Sequence, residues 1–84
     1  MFYTYILFSV PKEEYYVGQT NSINTRFDQH NTGEVTSTKH AKPWKIVTVF
    51  EFETRSQAMK LEKKIKKRGI KRYLHDINFG SAAR

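Results

Sequence analysis

The chain contains no cysteine among its 84 residues. Disulfide frameworks and thiolate metal sites are therefore excluded, while a reducing compartment is permitted. Also missing is any apolar stretch approaching the ~20 residues that cross a bilayer, and the start has no basic segment of the kind that opens a secretion signal. A cytoplasmic location is the default expectation. No internal repeat, no linker and no self-complementary patch marking an oligomer is visible. Acidic residues are scarce, eight Asp and Glu against fifteen Lys and Arg, for a formal net charge of +7. That balance suits a polyanionic partner, nucleic acid first and an anionic membrane surface second.

What is present is enough for one core. A hydrophobic fraction of 38%, including 14% aromatics, argues against disorder. The length allows one domain, expected over residues 1–79, with a frayed tail over 80–84. Phe2-Tyr3-Thr4-Tyr5-Ile6-Leu7-Phe8 and Tyr15-Tyr16-Val17-Gly18 read as strands, because aromatic and β-branched residues dominate both. Pro11-Lys12-Glu13-Glu14 between them reads as a turn, giving a hairpin. Alternation puts Tyr3, Tyr5 and Leu7 on one face and Phe2, Thr4, Ile6 and Phe8 on the other. Tyr5 can then approach a tyrosine of the second strand. A buried ring with a satisfied hydroxyl is the ordinary explanation for such a residue.

Downstream, Ile23 to Gly33 shows helical spacing at Ile23, Phe27 and His30 or Asn31, with Gly33 placed for a left-handed cap. Arg26 and His30 are four apart and share one side, offset from the stripe of Ile23 and Phe27. Glu34 to Pro43 reads as a polar, basic surface loop. Trp44-Lys45-Ile46-Val47-Thr48-Val49-Phe50-Glu51 reads as a third strand whose near-continuous apolar character suits a central position. Thr54-Arg55-Ser56-Gln57 matches a capping box that starts a long helix. Within it Glu62 falls beside the apolar stripe of Ala58, Leu61 and Ile65, where an acid wants a reason; pairing with Lys66 one turn later is the plain one. Lys60, Lys63, Lys64, Lys67, Arg68 and Lys71 form a basic run suited to a nucleic-acid backbone, or simply a solvated face. Gly69 interrupts the pattern, and a final helix is expected to follow. The fold class is thus α/β: a small three-stranded antiparallel sheet flanked by helices near 22–33, 54–67 and 70–78.

Taken together, a tyrosine strand, Tyr16-Val17-Gly18, a helical Arg-x-x-x-His and a later helical Glu resemble the GIY-YIG nuclease domain. Tyr3-Thr4-Tyr5 keeps the final tyrosine of the first signature but has Tyr3 for the usual glycine and Thr4 for the usual aliphatic. Asn21 to Asn31 resembles the helix after the second signature. Pro43-Trp44-Lys45, Phe52-Glu53-Thr54 and Ala58-Met59-Lys60-Leu61-Glu62 look like the short standalone bacterial members. The resemblance spans nearly the whole chain and rests on order and spacing, since each motif alone is short.

What the resemblance implies is a metal-dependent endonuclease acting on DNA. Tyr5 and Tyr16 would be paired active-site phenols, Arg26 the phosphate-binding cation, His30 a proton-transfer partner and Glu62 the single ligand of one Mg²⁺ or Mn²⁺. Asn78 is a further candidate near the end of the domain, with a helix-end cap as its alternative. No small-molecule cofactor is implied. The chemistry is coherent: one carboxylate plus waters and phosphate oxygens suffices for Mg²⁺, and a guanidinium offers a planar fork to phosphate. A phenol titrating near ~10 needs a nearby cation to act as base near neutrality, whereas a histidine near ~6.5 does not. Either residue can be the base. The altered first signature keeps a second function class in view, a nucleic-acid-binding module with a degenerate site.

Overall fold

Phe2–Ser9 forms strand β1, and in the computed structural model, which describes residues 1–77, this strand is the centre of the sheet. Thr4, Tyr5, Ile6 and Leu7 are all buried, so both faces of β1 are covered. Glu14–Thr20 (β2) and Trp44–Phe52 (β3) flank it antiparallel in the order β2-β1-β3. The expected hairpin is present and pairs Tyr5 with Gly18 and Leu7 with Tyr16. Tyr5, Leu7 and Tyr16 therefore pack on one face, and Ile6 and Val17 on the other.

The third strand is at an edge, not in the centre. Its apolar run is explained by a bulge: Ile6 pairs with Thr48 but Leu7 pairs with Ile46, so Val47 is an extra residue. The bulge breaks the alternation, which lets Val47 and Phe50 both pack on the Ile6 face. Ile46 and Val49 remain exposed. Beyond Trp44, which packs with Tyr5 and Leu7 on the other face, a run that looks two-sided is thus one covered face with a phase slip.

Ile23–Thr32 (α1) ends at Gly33, whose φ of 86° supplies the expected left-handed cap. Arg55–Arg68 (α2) opens in the expected capping box: Thr54 Oγ1 accepts from the Gln57 amide and Gln57 Oε1 accepts from the Thr54 amide. After Gly69, Ile70–Asp76 forms α3, ending two residues earlier than expected. Helices α2 and α3 bring Ile65 and Leu74 onto Ile6 and Val17, a hydrocarbon core. The buried Thr4 hydroxyl pins β1 to α2 by donating to the Ala58 carbonyl at 2.7 Å. On the opposite face α1 and the segment after it cover Tyr5 and Leu7.

That segment is more than a surface loop. Lys39–Ala41 forms a short 3₁₀ turn, and Thr38 and Ala41 are buried. Ser9 Oγ donates to the Ala41 carbonyl at 2.6 Å, so a chain with little apolar character is held inward by hydrogen bonds. Polar residues can fill a core when each polar atom is paired. Asn78 and the expected tail over 80–84 lie outside the described residues.

Ile65 has no exposed surface at the centre of the α2 face. Replacing it by Ala should cost roughly 2–5 kcal/mol in urea unfolding, whereas Met59→Ala on the exposed side of the same helix should change the midpoint little. Equal effects would mean that this cluster is not the stabilising core.

Candidate active site

Three elements meet on the α1 face of the sheet. β1 supplies Tyr5, β2 supplies Tyr16 and Gly18, and α1 supplies Arg26 and His30. The Tyr5 ring lies across its cross-strand partner Gly18, where a β-carbon would sit 2.6 Å from Oη and 2.8 Å from Cζ. Gly18 is glycine because the ring occupies the space of a side chain.

The Tyr5 phenol is 2.8 Å from His30 Nε2, and His30 Nδ1 is 2.8 Å from Thr38 Oγ1. Thr38 Oγ1 in turn donates to the Val35 carbonyl. That last bond fixes the direction of the chain: the Thr38 oxygen accepts from Nδ1–H, which leaves Nε2 to accept the phenol hydrogen. Burial, opposed by the neighbouring Arg26 guanidinium and reinforced by Tyr16 and the charge of Glu62, pushes the Tyr5 pKa up to about 12. Burial and the positive charge of Arg26 push His30 down to about 4. Both groups are neutral at neutral pH, the phenol as donor and the imidazole as acceptor.

His30 is fully buried and sits on the inward face of α1, not offset from it, because both ring nitrogens are satisfied. Tyr16 is half-buried, with its ring centroid 4.9 Å from that of His30 and 6.2 Å from that of Trp44. Its hydroxyl has no hydrogen-bond partner among the described residues, in contrast to that of Tyr5. Thr38 was not a candidate from sequence. A threonine in a run of polar residues carries no periodicity, and what marks it is tertiary: it receives His30 on its side chain and the Trp44 indole N–H on its carbonyl at 2.9 Å.

Arg26 is half-buried and donates to Gln29 Oε1 at 3.1 Å. Of the five sequence candidates it alone lines a hollow of about 270 Å³ beside the start of α2. Glu62 stands on α2 with 20% of its side chain exposed and pairs with Lys66 Nζ at 3.0 Å, the plain explanation for an acid there. Its charge nevertheless reaches the Tyr5 phenol. Among the described residues no three His, Asp or Glu side chains are grouped to hold a metal, so a metal would rest on fewer than three such side chains. Glu62 fits that role as a hard oxygen donor whose ion-pair partner is a largely exposed lysine. Lys60, Lys63, Lys64, Lys67 and Lys71 are exposed along α2 and α3. Arg68 is engaged by Asp76 in a two-pronged pair of 2.6 and 3.0 Å.

The family model described as the GIY-YIG catalytic domain matches residues 1–73. A UPF0213 protein of Listeria welshimeri serovar 6b is 41% identical over 54 residues, a match covering 63% of this chain and 60% of that one. The chain thus spans less than two thirds of that relative's length. The solution NMR structure of a UPF0213 protein from Bacillus halodurans superposes with a TM-score of 0.57 at 27% identity, covering 96% of this chain and 89% of the other.

The depressed His30 pKa makes stability acid-sensitive in a defined window. The unfolded chain takes up a proton near pH 6.5 and the folded one only near 4. The native state therefore holds its full advantage above 6.5 and loses on the order of 3 kcal/mol as pH falls to about 4. Urea titrations at stepped pH should show this slope in wild type and a flatter one in His30→Gln. For Gly18→Ala, the added methyl must displace the Tyr5 ring, at a cost of roughly 1–3 kcal/mol. The His30 ring, followed by NMR, should then titrate nearer to 6.5; an unmoved titration would contradict the account of Gly18.

Proposed function

Because the chain belongs to the GIY-YIG family of nuclease catalytic domains, we propose that it is a metal-dependent endonuclease hydrolysing DNA phosphodiester bonds. Tyr5, Tyr16, Arg26, His30 and Glu62 carry the reaction, with one Mg²⁺ or Mn²⁺ on Glu62. The observation that carries this proposal is the hydrogen-bonded Tyr5–His30 pair beside the Arg26 guanidinium.

Phosphodiester hydrolysis needs an in-line water, neutralisation of charge on the phosphoryl oxygens and a destination for one proton. Arg26 presents its fork to the phosphoryl oxygens. Tyr5 alone is a poor base, since it holds its proton up to a pH of about 12. Passing that proton to Nε2 of neutral His30 lets the phenol oxygen accept one from the attacking water in the same movement. The resulting imidazolium donates from both nitrogens, to the Tyr5 oxygen and to Thr38 Oγ1. Phosphate helps this transfer, because its negative charge offsets the Arg26 field that, after burial, depresses His30. The two sequence candidates for the base thus act as one relay. Glu62 would hold the divalent cation, which would supply positive charge to the leaving oxygen. Tyr16, whose hydroxyl has no partner among the described residues, is the donor for an incoming phosphoryl oxygen.

The exposed lysines Lys60, Lys63, Lys64, Lys67 and Lys71 hold the DNA backbone, a contact without base information. Arg68 belongs to the same surface while its pair with Asp76 orders the α2–α3 junction. We place the protein in the cytoplasm as one catalytic domain. A second proposal, a nucleic-acid-binding module without catalysis, is favoured by the near-complete burial of Tyr5 and His30, 1% and 0% exposed.

Incubation with supercoiled plasmid separates the two. Wild type should nick in Mg²⁺ or Mn²⁺ and not in EDTA, and Glu62→Ala and Arg26→Ala should each lose roughly 10²-fold or more in rate while still binding DNA. Binding with no nicking in either metal would leave the module as the function.

A further inference from the structure

The hollow onto which Arg26 opens contains a second guanidinium that the reaction above does not use. Arg55, in the first turn of α2, lines it with Arg26, and the other lining residues include Gln19, Thr20, Ser22 and Gln29. Every lining side chain is an amide, a hydroxyl or a guanidinium, and none is a carboxylate. Such a set is complementary to an anion.

Arg55 is held in place although it is exposed. Its guanidinium lies 4.8 Å from the centre of the Phe2 ring, and Nη1 donates to Gln19 Oε1 at 3.0 Å. A cation over an aromatic face, with one fork edge tied to an amide, is held in orientation, and its remaining donors have no partner among the described residues. The position is also a poor one for helix stability. The first turn of a helix favours acids over bases, and α2 has no acid there to balance Arg55. Helix energetics therefore does not account for a fixed arginine at this place.

We infer that this hollow is a second phosphate site, in which Arg55 grips the backbone phosphate next to the one held by Arg26. The inference rests on the nuclease proposal for the identity of the ligand as a nucleic-acid strand. It adds a path: the strand leaves the Tyr5–Arg26 cluster toward the start of α2, supported by Gln19 and Gln29 amides. Arg55 is a positioning residue in this scheme. It sets where the neighbouring phosphate lies and so where the scissile one stands relative to Arg26.

The test is equilibrium binding of a fluorescent DNA duplex in EDTA, where no turnover occurs, across a series of salt concentrations. Each protein phosphate contact contributes about 0.9 to the slope of log K against log salt. Arg55→Gln should weaken binding about tenfold at low salt and reduce the slope by about one contact. Arg55→Lys should keep the slope, because the charge remains, while weakening binding less. Thermal melting of each variant accompanies the titration, since loss of the Phe2 contact alone would lower the melting temperature without altering the slope. Equal slopes for wild type and Arg55→Gln, or no salt-sensitive binding by wild type, would overturn the inference. Failure of the nuclease proposal has a different signature, salt-sensitive binding by wild type without nicking, and leaves the slope comparison intact.

Discussion

A phenol and an imidazole share a hydrogen inside the sheet's α1 face, and most of that side of the molecule is arranged to let them. An unpaired buried polar group costs about 1–3 kcal/mol, so each member of such a chain needs its next partner. Tyr5 has His30, His30 has Thr38, and Thr38 has the Val35 carbonyl. Trp44 holds Thr38 from behind, and Asn31 clasps the Trp44 backbone through both its amide groups. Among the described residues no buried side-chain nitrogen or oxygen lacks a partner. The opposite face, built from Ile6, Val17, Ile65 and Leu74, is ordinary hydrocarbon. Cohesion and chemistry are thus separated by the thickness of one strand.

The elements that local chemistry governs were legible in the sequence. The capping box at Thr54, the cap at Gly33 and the hairpin that sets Tyr5 near Tyr16 each follow from residue types at fixed spacing. So did the family, whose signature is an order of such elements. What was not legible is whatever depends on contacts between distant segments. The bulge at Val47 made an edge strand look central, because a phase slip in alternation is indistinguishable from two buried faces. Thr38 and Ala41 are buried by hydrogen bonds to His30 and Ser9, and no hydropathy pattern announces them. Glu62 shows both cases: its place beside the apolar stripe and its ion pair with Lys66 were readable from spacing, and its field at Tyr5 was not.

Charge is distributed as unevenly as polarity. The lysines of α2 and α3 lie on the exterior, where salt screens them and their long stems stay free. Arg26 differs, since partial burial lets its field reach His30 and Tyr5. One cation embedded beside titrating groups alters their protonation, whereas exposed ones act mainly on what surrounds the protein. The basic residues therefore fall into two electrostatic settings, which composition alone does not separate.

Of the three strands, the innermost comes earliest in the chain. Its pairing with β2 closes a short loop, and its pairing with β3 must enclose α1 and the turn that carries Thr38. Loop closure grows costlier with the length of chain enclosed. During translation, then, the hairpin and the helix that bears His30 are complete while one side of β1 still has no neighbour. At that stage the flank of β1 that β3 will cover is still open.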